Sequence, residues 1–304
     1  MPALAAIDVG SNAIRLLIGN VDGERRVEVL ENVRDPVRLG QDVFAGGNIT
    51  EGTIDRALDV FLQFKAFIDS HNVRWTRAVA TSATREALNR DLFIDRVAEA
   101  TGIDISVISS EEEARLIHLA VASKVNLKNK LAMLVDIGGG STEITLVSNG
   151  NIISTESFKM GAVRLLHVLE ERKRGERQFT QMVREYVDAT QKRIRKEIGN
   201  QTITLFVGTG GNIESLGELR RELFDKDRSS VISADELDIL AKKLQNMSFE
   251  ERVQQLRLRP DRADVIVPAS IILQKIVKQA GVGEVVIPGV GLKDGVLVDM
   301  IQEL

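Results

Sequence analysis

The chain has 304 residues, a net charge of −4, no cysteine and three histidines. This balance argues against chain-wide attraction to nucleic acid or membrane, and it excludes disulfides, thiolate metal sites and thiol nucleophiles. The scattered histidines disfavour a histidine-rich metal site or a Ser-His-Asp triad. No apolar run reaches the ~18 residues that a membrane span needs, and no signal-like segment opens the chain, so we expect a cytoplasmic protein.

The first predicted elements are two strands joined by a glycine turn, and the same pattern returns near the middle of the chain. The two segments read AAIDVGSNAIRLLIGNVDG and MLVDIGGGSTEITLVSNG. Asp8 matches Asp136, and Ser11 matches Ser141 if two glycines are treated as an insertion. Alternating aliphatic residues after each turn are typical of half-buried strands. The repeat therefore predicts two related halves.

The remaining segments alternate between predicted strands and helices. A third strand is predicted near residues 26–32, followed by a helix with Thr50 as its N-cap. Further strand-to-helix units follow, together with a long charged helical stretch over residues 176–198 and a closing strand, turn and helix. Such alternation is typical of an α/β fold in which helices cover the sheets, and we place a boundary near residues 125–130.

Turns that follow strands are the candidate ligand sites. Five of them, most with glycine, lie at residues 8–12, 81–85, 136–143, 208–212 and 289–295. The carboxyl ends of strands and the N-termini of helices offer N–H groups that suit phosphate. Glycines let phosphate oxygens approach the backbone, so we expect Gly138, Gly139 and Gly140 to wrap a phosphate. The alternative is a glycine-rich hairpin without a ligand.

Three carboxylates, Asp8, Asp136 and Glu143, adjoin these predicted phosphate turns. Acids at an anion site are unfavourable unless a cation lies between them. Mg²⁺ binds one or two carboxylates together with water and phosphate oxygens, so the pattern predicts Mg²⁺ or another divalent cation. The alternative is that the two aspartates cap turns through side-chain hydrogen bonds.

The segment SSEEEARLIHLA places three acids at a predicted helix start. Ser110 and Glu113 fit a Ser-x-x-Glu capping box. The functional interpretation instead makes Glu113 a general base that activates a water nucleophile. Arg85 and Arg115 each follow a predicted helix start. Two interpretations of each side chain stay open: it pairs with phosphate, or it is exposed to solvent.

Together, nine segments resemble the exopolyphosphatase / guanosine pentaphosphate phosphohydrolase family in order and spacing. They are AAIDVGSNAIRLLIG, VRLGQDVFAGGNIT, AVATSATREALNRDLF, ISSEEEARLIHLAV, LVDIGGGSTEITLV, FKMGAVRLL, VGTGGNIESL, RADVIVPASIIL and GLKDGVL. The resemblance implies an α/β fold of the actin-like superfamily, with two ribonuclease-H-like domains that flank a cleft. We expect these at residues 1–125 and 126–292, with the final helix, about residues 293–304, packing back on the first domain.

The resemblance also implies a reaction and roles for residues. The family removes the terminal phosphate of inorganic polyphosphate, or the 5′-γ-phosphate of guanosine pentaphosphate in the stringent response. By matching position, Glu113 is the catalytic base, Asp136 and Glu143 are catalytic and metal-binding acids, and Asp8 is a further metal ligand. The implied phosphate-binding residues are Gly10, Ser11, Asn12, Arg85, Gly138, Gly139, Gly140, Ser141 and Thr142.

Two features depart from the family pattern. Longer members carry a helical C-terminal domain. We expect none after Leu304, and therefore a preference for short polyphosphate. Asn212 stands where many members have threonine. Two other functions stay open: an ATP-dependent small-molecule kinase of the same superfamily, and a non-catalytic regulator that binds polyphosphate or an alarmone. We expect no nucleic-acid or membrane partner, and a homodimer is compatible with the sequence.

Overall fold

The computed structural model describes residues 2–23, 26–172 and 202–304. The predicted helical stretch over residues 176–198 lies outside the described residues. The chain divides into two compact units: the first comprises residues 1–123 with 290–304, and the second comprises residues 124–289. No helix in the described part combines the length and the apolar character needed to cross a membrane.

The first unit is built on a five-stranded mixed sheet. Its elements up to residue 122 are β1 (Ala3–Val9), β2 (Ile14–Val21), β3 (Val27–Asp35), α1 (Leu39–Gly46), α2 (Glu51–Ser70), β4 (Trp75–Ala80), α3 (Ser82–Glu86), α4 (Arg90–Thr101), β5 (Ile105–Val107) and α5 (Ser110–Ala122). The strand order is β3-β2-β1-β4-β5. The three-stranded meander is antiparallel, whereas β4 and β5 continue parallel to β1. Every residue of β1 is buried, as expected for a central strand covered on both faces.

The second unit repeats this plan with one additional strand. Its elements among the described residues are β6 (Leu131–Ile137), β7 (Thr142–Ser148), β8 (Asn151–Phe158), α6 (Ala162–Arg172), β9 (Leu205–Thr209), α7 (Gly211–Leu223), β10 (Val231–Ser233), α8 (Ala234–Asn246), α9 (Phe249–Gln254), α10 (Pro260–Ala263), α11 (Ile266–Ala280) and β11 (Glu284–Val286). The strand order is β10-β11-β9-β6-β7-β8.

The two sheets share one topology. Reading β8-β7-β6-β9-β11 against β3-β2-β1-β4-β5 reproduces each neighbour and each direction, and β10 is an extra antiparallel edge strand. The predicted α/β fold with two ribonuclease-H-like halves is confirmed. The third strand predicted near residues 26–32 is β3, and Thr50 is the N-cap of α2 as predicted.

The last helix, α12 (Leu292–Gln302), packs in the first unit against α5. A Cβ atom built on Gly295 would overlap the carbonyl group of Leu116, so the two helices approach as closely as their backbones allow. Polar contacts lie one turn further along α12. The Asp299 carboxylate accepts hydrogen bonds from Arg77 on β4 at 2.7 Å and from Arg115 on α5 at 2.8 Å. The helix thereby fixes α5 against the sheet.

The first prediction concerns the close approach of α12. Gly295→Ala should lower the free energy of unfolding by about 1–3 kcal/mol, because the new methyl group collides with a backbone carbonyl that cannot move alone. Gly52→Ala is the matched control, since the nearest atom to its new Cβ is Arg56 Nη1 at 3.9 Å. The control should be neutral or stabilising by up to ~1 kcal/mol through helix propensity. Urea denaturation measures both, and equal effects would contradict the packing argument.

The second prediction concerns pH. The hydrogen bond from Arg115, followed by the charges of Arg115 and Arg77, holds the pKa of Asp299 below its usual range despite partial burial. A depressed carboxyl pKa stabilises the fold above the unfolded-state value of about 3.9, and this contribution disappears as the pH falls through the folded-state pKa. Asp299→Asn should therefore be less stable than wild type at pH 7, with the difference shrinking towards zero in acid.

Denaturant titrations between neutral and acidic pH measure this convergence. Glu303→Gln is the control, because Glu303 pairs with the same Arg77 but its side chain is 61% exposed. An exposed pair contributes little, so that variant should follow the wild-type profile. A pH-independent loss in Asp299→Asn would contradict the assignment.

Candidate active site

The first predicted phosphate loop is the four-residue turn between β1 and β2, residues 10–13. The Gly10 N–H donates to the Ala13 carbonyl at 3.1 Å and closes the turn. The start of α1 lies behind it, where the Gly40 N–H donates to the Ser11 carbonyl at 2.8 Å and the Arg38 N–H donates to the Asn12 carbonyl at 3.3 Å. A trans peptide directs its carbonyl and its N–H oppositely. The N–H groups that follow these two carbonyls therefore point away from α1.

The second predicted loop is the turn between β6 and β7, residues 138–141, and it is held in the same way. The Gly138 N–H donates to the Ser141 carbonyl at 3.0 Å. The start of α6 again supplies donors to the loop carbonyls: Ala162 N to Gly138 O at 3.0 Å, Val163 N and Arg164 N to Gly139 O at 2.9 and 3.1 Å, and Gly161 N and Arg164 Nε to Gly140 O at 3.2 and 2.9 Å. By the same peptide geometry, the N–H groups of residues 139–141 point away from α6.

Close backbone approach explains the glycine at position 161, directly before α6. A Cβ atom built on Gly161 would overlap the backbone of Gly139 and Gly140, so α6 contacts the loop with no side chain between them. Thr142 follows the loop and links it to the segment before α6, because its buried hydroxyl donates to the Met160 carbonyl at 2.6 Å. Its hydroxyl proton is therefore engaged within the protein.

The equal turn lengths correct the predicted alignment of the repeat. Each turn has four residues closed by the same backbone bond, so no insertion separates them. Ser11 occupies the position of Gly139, and Ala13 occupies that of Ser141. The match of Ser11 to Ser141 was wrong because it followed side-chain identity, whereas hydrogen-bonded register sets the correspondence.

The corrected alignment shows how the two hairpins differ. In the first, Asp8 lies directly across from Arg15, whose Nη1 donates to Asp8 Oδ2 at 2.8 Å. In the second, Asp136 lies directly across from Glu143. The cross-strand pair at this position is thus an ion pair in one hairpin and two acids in the other.

Hydroxyl groups orient both acids of the second hairpin. Thr209 Oγ1 donates to Asp136 Oδ1 at 2.5 Å, and Ser157 Oγ donates to Glu143 Oε1 at 2.8 Å. One carboxylate oxygen of Asp136 and one of Glu143 lie within 4.8 Å of each other. Like charges directly opposite on paired strands destabilise each other. Two converging oxygen donors with a net negative charge fit a hard divalent cation such as Mg²⁺.

The predicted general base lies on α5 in the first unit. Glu113 is 6% exposed, and its Oε2 lies 3.4 Å from Arg85 Nη1. Arg85 is itself held at the end of β5 by a 2.6 Å hydrogen bond to the Ile108 carbonyl. The N-terminus of α3, which carries Arg85, meets the first loop where the Ala83 N–H donates to Ser11 Oγ at 3.2 Å. The first unit thus brings its loop, Arg85 and Glu113 to the carboxyl ends of β1, β4 and β5.

The capping interpretation of Glu113 was wrong by one residue. The N-cap of α5 is Ser109, whose side chain accepts from the Glu112 N–H at 3.2 Å. Glu112 in turn pairs with Arg115 through both carboxylate oxygens. Glu113 therefore points into the unit instead of capping the helix. The Arg115 side chain is 42% exposed, and it donates to Glu112 and Asp299.

Several residues around the second loop and its two acids were missed at the sequence level. Thr209, Ser157 and Arg164 orient the acids and the second loop. Thr209 and Arg164 lie in GTGG and MGAVRL, segments that carry the family resemblance, but nothing in their spacing shows which atoms they contact. Asn212, the departure from the family pattern, is buried and accepts a hydrogen bond from Arg262 at 3.1 Å.

A model of the Ppx/GppA phosphatase family matches residues 18–304. The chain belongs to this family. It is 30% identical to exopolyphosphatase 2 of Mycobacterium tuberculosis, over 98% of both chains. It is 27% identical to the guanosine-5′-triphosphate,3′-diphosphate pyrophosphatase of Vibrio parahaemolyticus, over the whole of this chain and 60% of that protein.

Solved structures of this Ppx/GppA family agree with the fold. A crystal structure of an exopolyphosphatase from Cytophaga hutchinsonii superposes with a TM-score of 0.90 at 27% identity, over 99% of this chain and 98% of that one. The Aquifex aeolicus family member superposes with a TM-score of 0.81 at 26% identity, over 99% and 98%. The predicted family and the predicted enzyme class, a phosphoanhydride hydrolase, are confirmed.

Proposed function

We propose that this chain removes the terminal phosphate from inorganic polyphosphate, or the 5′-γ-phosphate from guanosine pentaphosphate. The observation that carries the proposal is the duplicated loop, in which a helix start holds the carbonyls and leaves the opposite N–H groups directed outward. Preorganised N–H groups of this kind stabilise the charge that spreads over phosphoryl oxygens. The relatives named above support the substrate classes.

Phosphate binding is assigned to both loops and to one arginine. In the second unit the donors are the N–H groups of Gly139, Gly140 and Ser141, with Gly138 closing the turn and Thr142 anchoring it. In the first unit the donors are the N–H groups that follow the Ser11 and Asn12 carbonyls, and Gly10 closes the turn. Arg85 adds a guanidinium group that suits phosphate oxygens. The family resemblance implies that both loops serve one substrate.

Asp136 and Glu143 are the proposed ligands of a divalent cation, Mg²⁺ or a similar ion. Their oxygens converge, and hydroxyl donors fix each carboxylate. Asp8 is proposed as a further ligand through Oδ1, because Arg15 engages its Oδ2. When bound, the cation would offset the negative charge of the substrate and of the leaving group.

Glu113 is the proposed general base. Its carboxylate accepts a proton from water as the water oxygen attacks the terminal phosphorus in line. The bond to the bridging oxygen breaks on the opposite side, and the rest of the substrate leaves with that oxygen and the bonding electron pair. Burial and the neighbouring Arg85 hold the carboxylate in place. Phosphoryl transfer depends chiefly on positioning and on charge stabilisation, which these residues supply.

We also propose a cytoplasmic location, which a cysteine-free chain fits.

The third prediction tests the reaction itself. Purified protein should release inorganic phosphate from short polyphosphate, long polyphosphate or guanosine pentaphosphate, assayed side by side. EDTA should stop the release, and added Mg²⁺ should restore it. Tight binding of these anions without phosphate release would instead mark a regulator. Transfer of labelled phosphate from ATP to a small acceptor, without hydrolysis of the three substrates, would mark a kinase.

The fourth prediction tests the base. Glu113→Gln should lower kcat at least about 100-fold, because an amide cannot accept the proton and a general base contributes about 10²–10⁴ in rate. KM and the unfolding midpoint should change little. Glu111→Gln is the control, since this exposed neighbour lies in the same helical turn. Near-wild-type turnover in Glu113→Gln would remove Glu113 from the mechanism.

A further inference from the structure

One carbonyl of the second loop is held by a side chain as well as by the backbone. The Gly140 carbonyl accepts the Gly161 N–H at 3.2 Å and the Arg164 Nε–H at 2.9 Å. The bonds to the Gly138 and Gly139 carbonyls come from backbone N–H groups of α6. Arg164 is the third residue of α6, so its Cα position is fixed by the helix while its side chain reaches the loop.

Because a peptide group is planar, a bond to its carbonyl also sets the direction of its N–H donor. The Gly140 carbonyl and the Ser141 N–H belong to one rigid plane and point in opposite directions. Whatever holds the carbonyl therefore sets the direction of the Ser141 N–H. Glycine tolerates a wide range of backbone angles, so three consecutive glycines leave this plane free to rotate unless it is held.

The first loop has a backbone donor at the same position. The equivalent carbonyl there belongs to Asn12, and it accepts the Arg38 backbone N–H. That loop has side chains of its own, and Ser11 Oγ accepts the Ala83 N–H at 3.2 Å. The second loop carries glycine where the first carries Ser11 and Asn12. The side-chain bond from α6 takes the place of the anchors that these glycines lack.

We propose that Arg164 is a positioning residue that orients the Gly140–Ser141 peptide so that the Ser141 N–H faces the terminal phosphoryl group. This inference rests on the proposed function of the loop. Arg164 acts through the peptide, because its Nε bonds the carbonyl side, which is opposite to the N–H side. A charged donor on the carbonyl also polarises the peptide and strengthens its N–H as a donor.

The fifth prediction compares two substitutions of similar length. Arg164→Met removes the donor and the charge, and it should lower kcat about tenfold or more, since loss of one preorganised donor costs about 10²–10³ and misorientation removes part of that. Arg164→Gln removes the charge but retains an N–H donor for the Gly140 carbonyl, so it should recover most of the lost kcat. KM should change less than kcat in both, because the Ser141 N–H acts mainly on transition-state charge.

Arg221→Met is the control for loss of an arginine in the same unit, because its side chain is 47% exposed on α7 and pairs with Glu218. It should retain wild-type kcat. Equal kcat values for wild type and Arg164→Met would overturn the proposal, as would an equal loss in the Met and Gln variants, which would indicate that the charge itself contacts substrate.

A second measurement does not depend on turnover. Inorganic phosphate titrated into protein labelled with ¹⁵N-serine should shift the Ser141 amide resonance in wild type and in Arg164→Gln, and should shift it less in Arg164→Met. Identical Ser141 shifts in all three proteins would overturn the positioning role even if the enzyme hydrolyses polyphosphate. A wild-type protein that shows the expected shifts but releases no phosphate would retain the positioning role and reject the proposed reaction.

Discussion

The carbonyl and the N–H of a trans peptide point in opposite directions, and this constraint sets the direction of the N–H groups in both predicted phosphate loops. In each unit a strand hairpin ends in a four-residue turn, and the start of a helix takes up carbonyls of that turn. The helix N–H groups would otherwise need partners of their own, so the contact satisfies both elements. The remaining N–H groups are then directed away from the helix, and in the second unit Arg164 adds a side-chain bond to one of the carbonyls.

Duplication of this unit explains why one fold supplies two different surfaces. The hairpins share length, register and closing bond, yet the residue across from the aspartate is Arg15 in one and Glu143 in the other. The first arrangement is close to neutral, because Arg15 offsets the charge of Asp8. The second gathers two acids supported by Thr209 and Ser157, so its charge balance favours a cation. A single difference, in the residue that lies across from the aspartate, thus gives two similar hairpins different chemistry.

Support for α5, which carries the proposed base Glu113, comes from the far end of the chain. The C-terminal helix α12 contacts α5 through Gly295 and holds Arg115 through Asp299. These contacts lie two and three residues past Glu113 on the same helix, at Arg115 and Leu116. Helix α5 therefore starts at a cap, Ser109, and is fixed at its next turn by a segment distant in sequence. The position of Glu113 depends on both.

The sequence by itself determined the α/β class, the internal repeat, the glycine loops and the family, because strand alternation, turn glycines and motif order are local properties of the chain. It also singled out Asp8, Glu113, Asp136 and Glu143 as the acids of interest. Only the tertiary structure decided the register of the repeat, the true cap of α5 and the partners of Arg85, Arg115 and Arg164. These depend on which backbone atoms meet across strands and between helices distant in sequence, and side-chain identity does not encode such contacts locally.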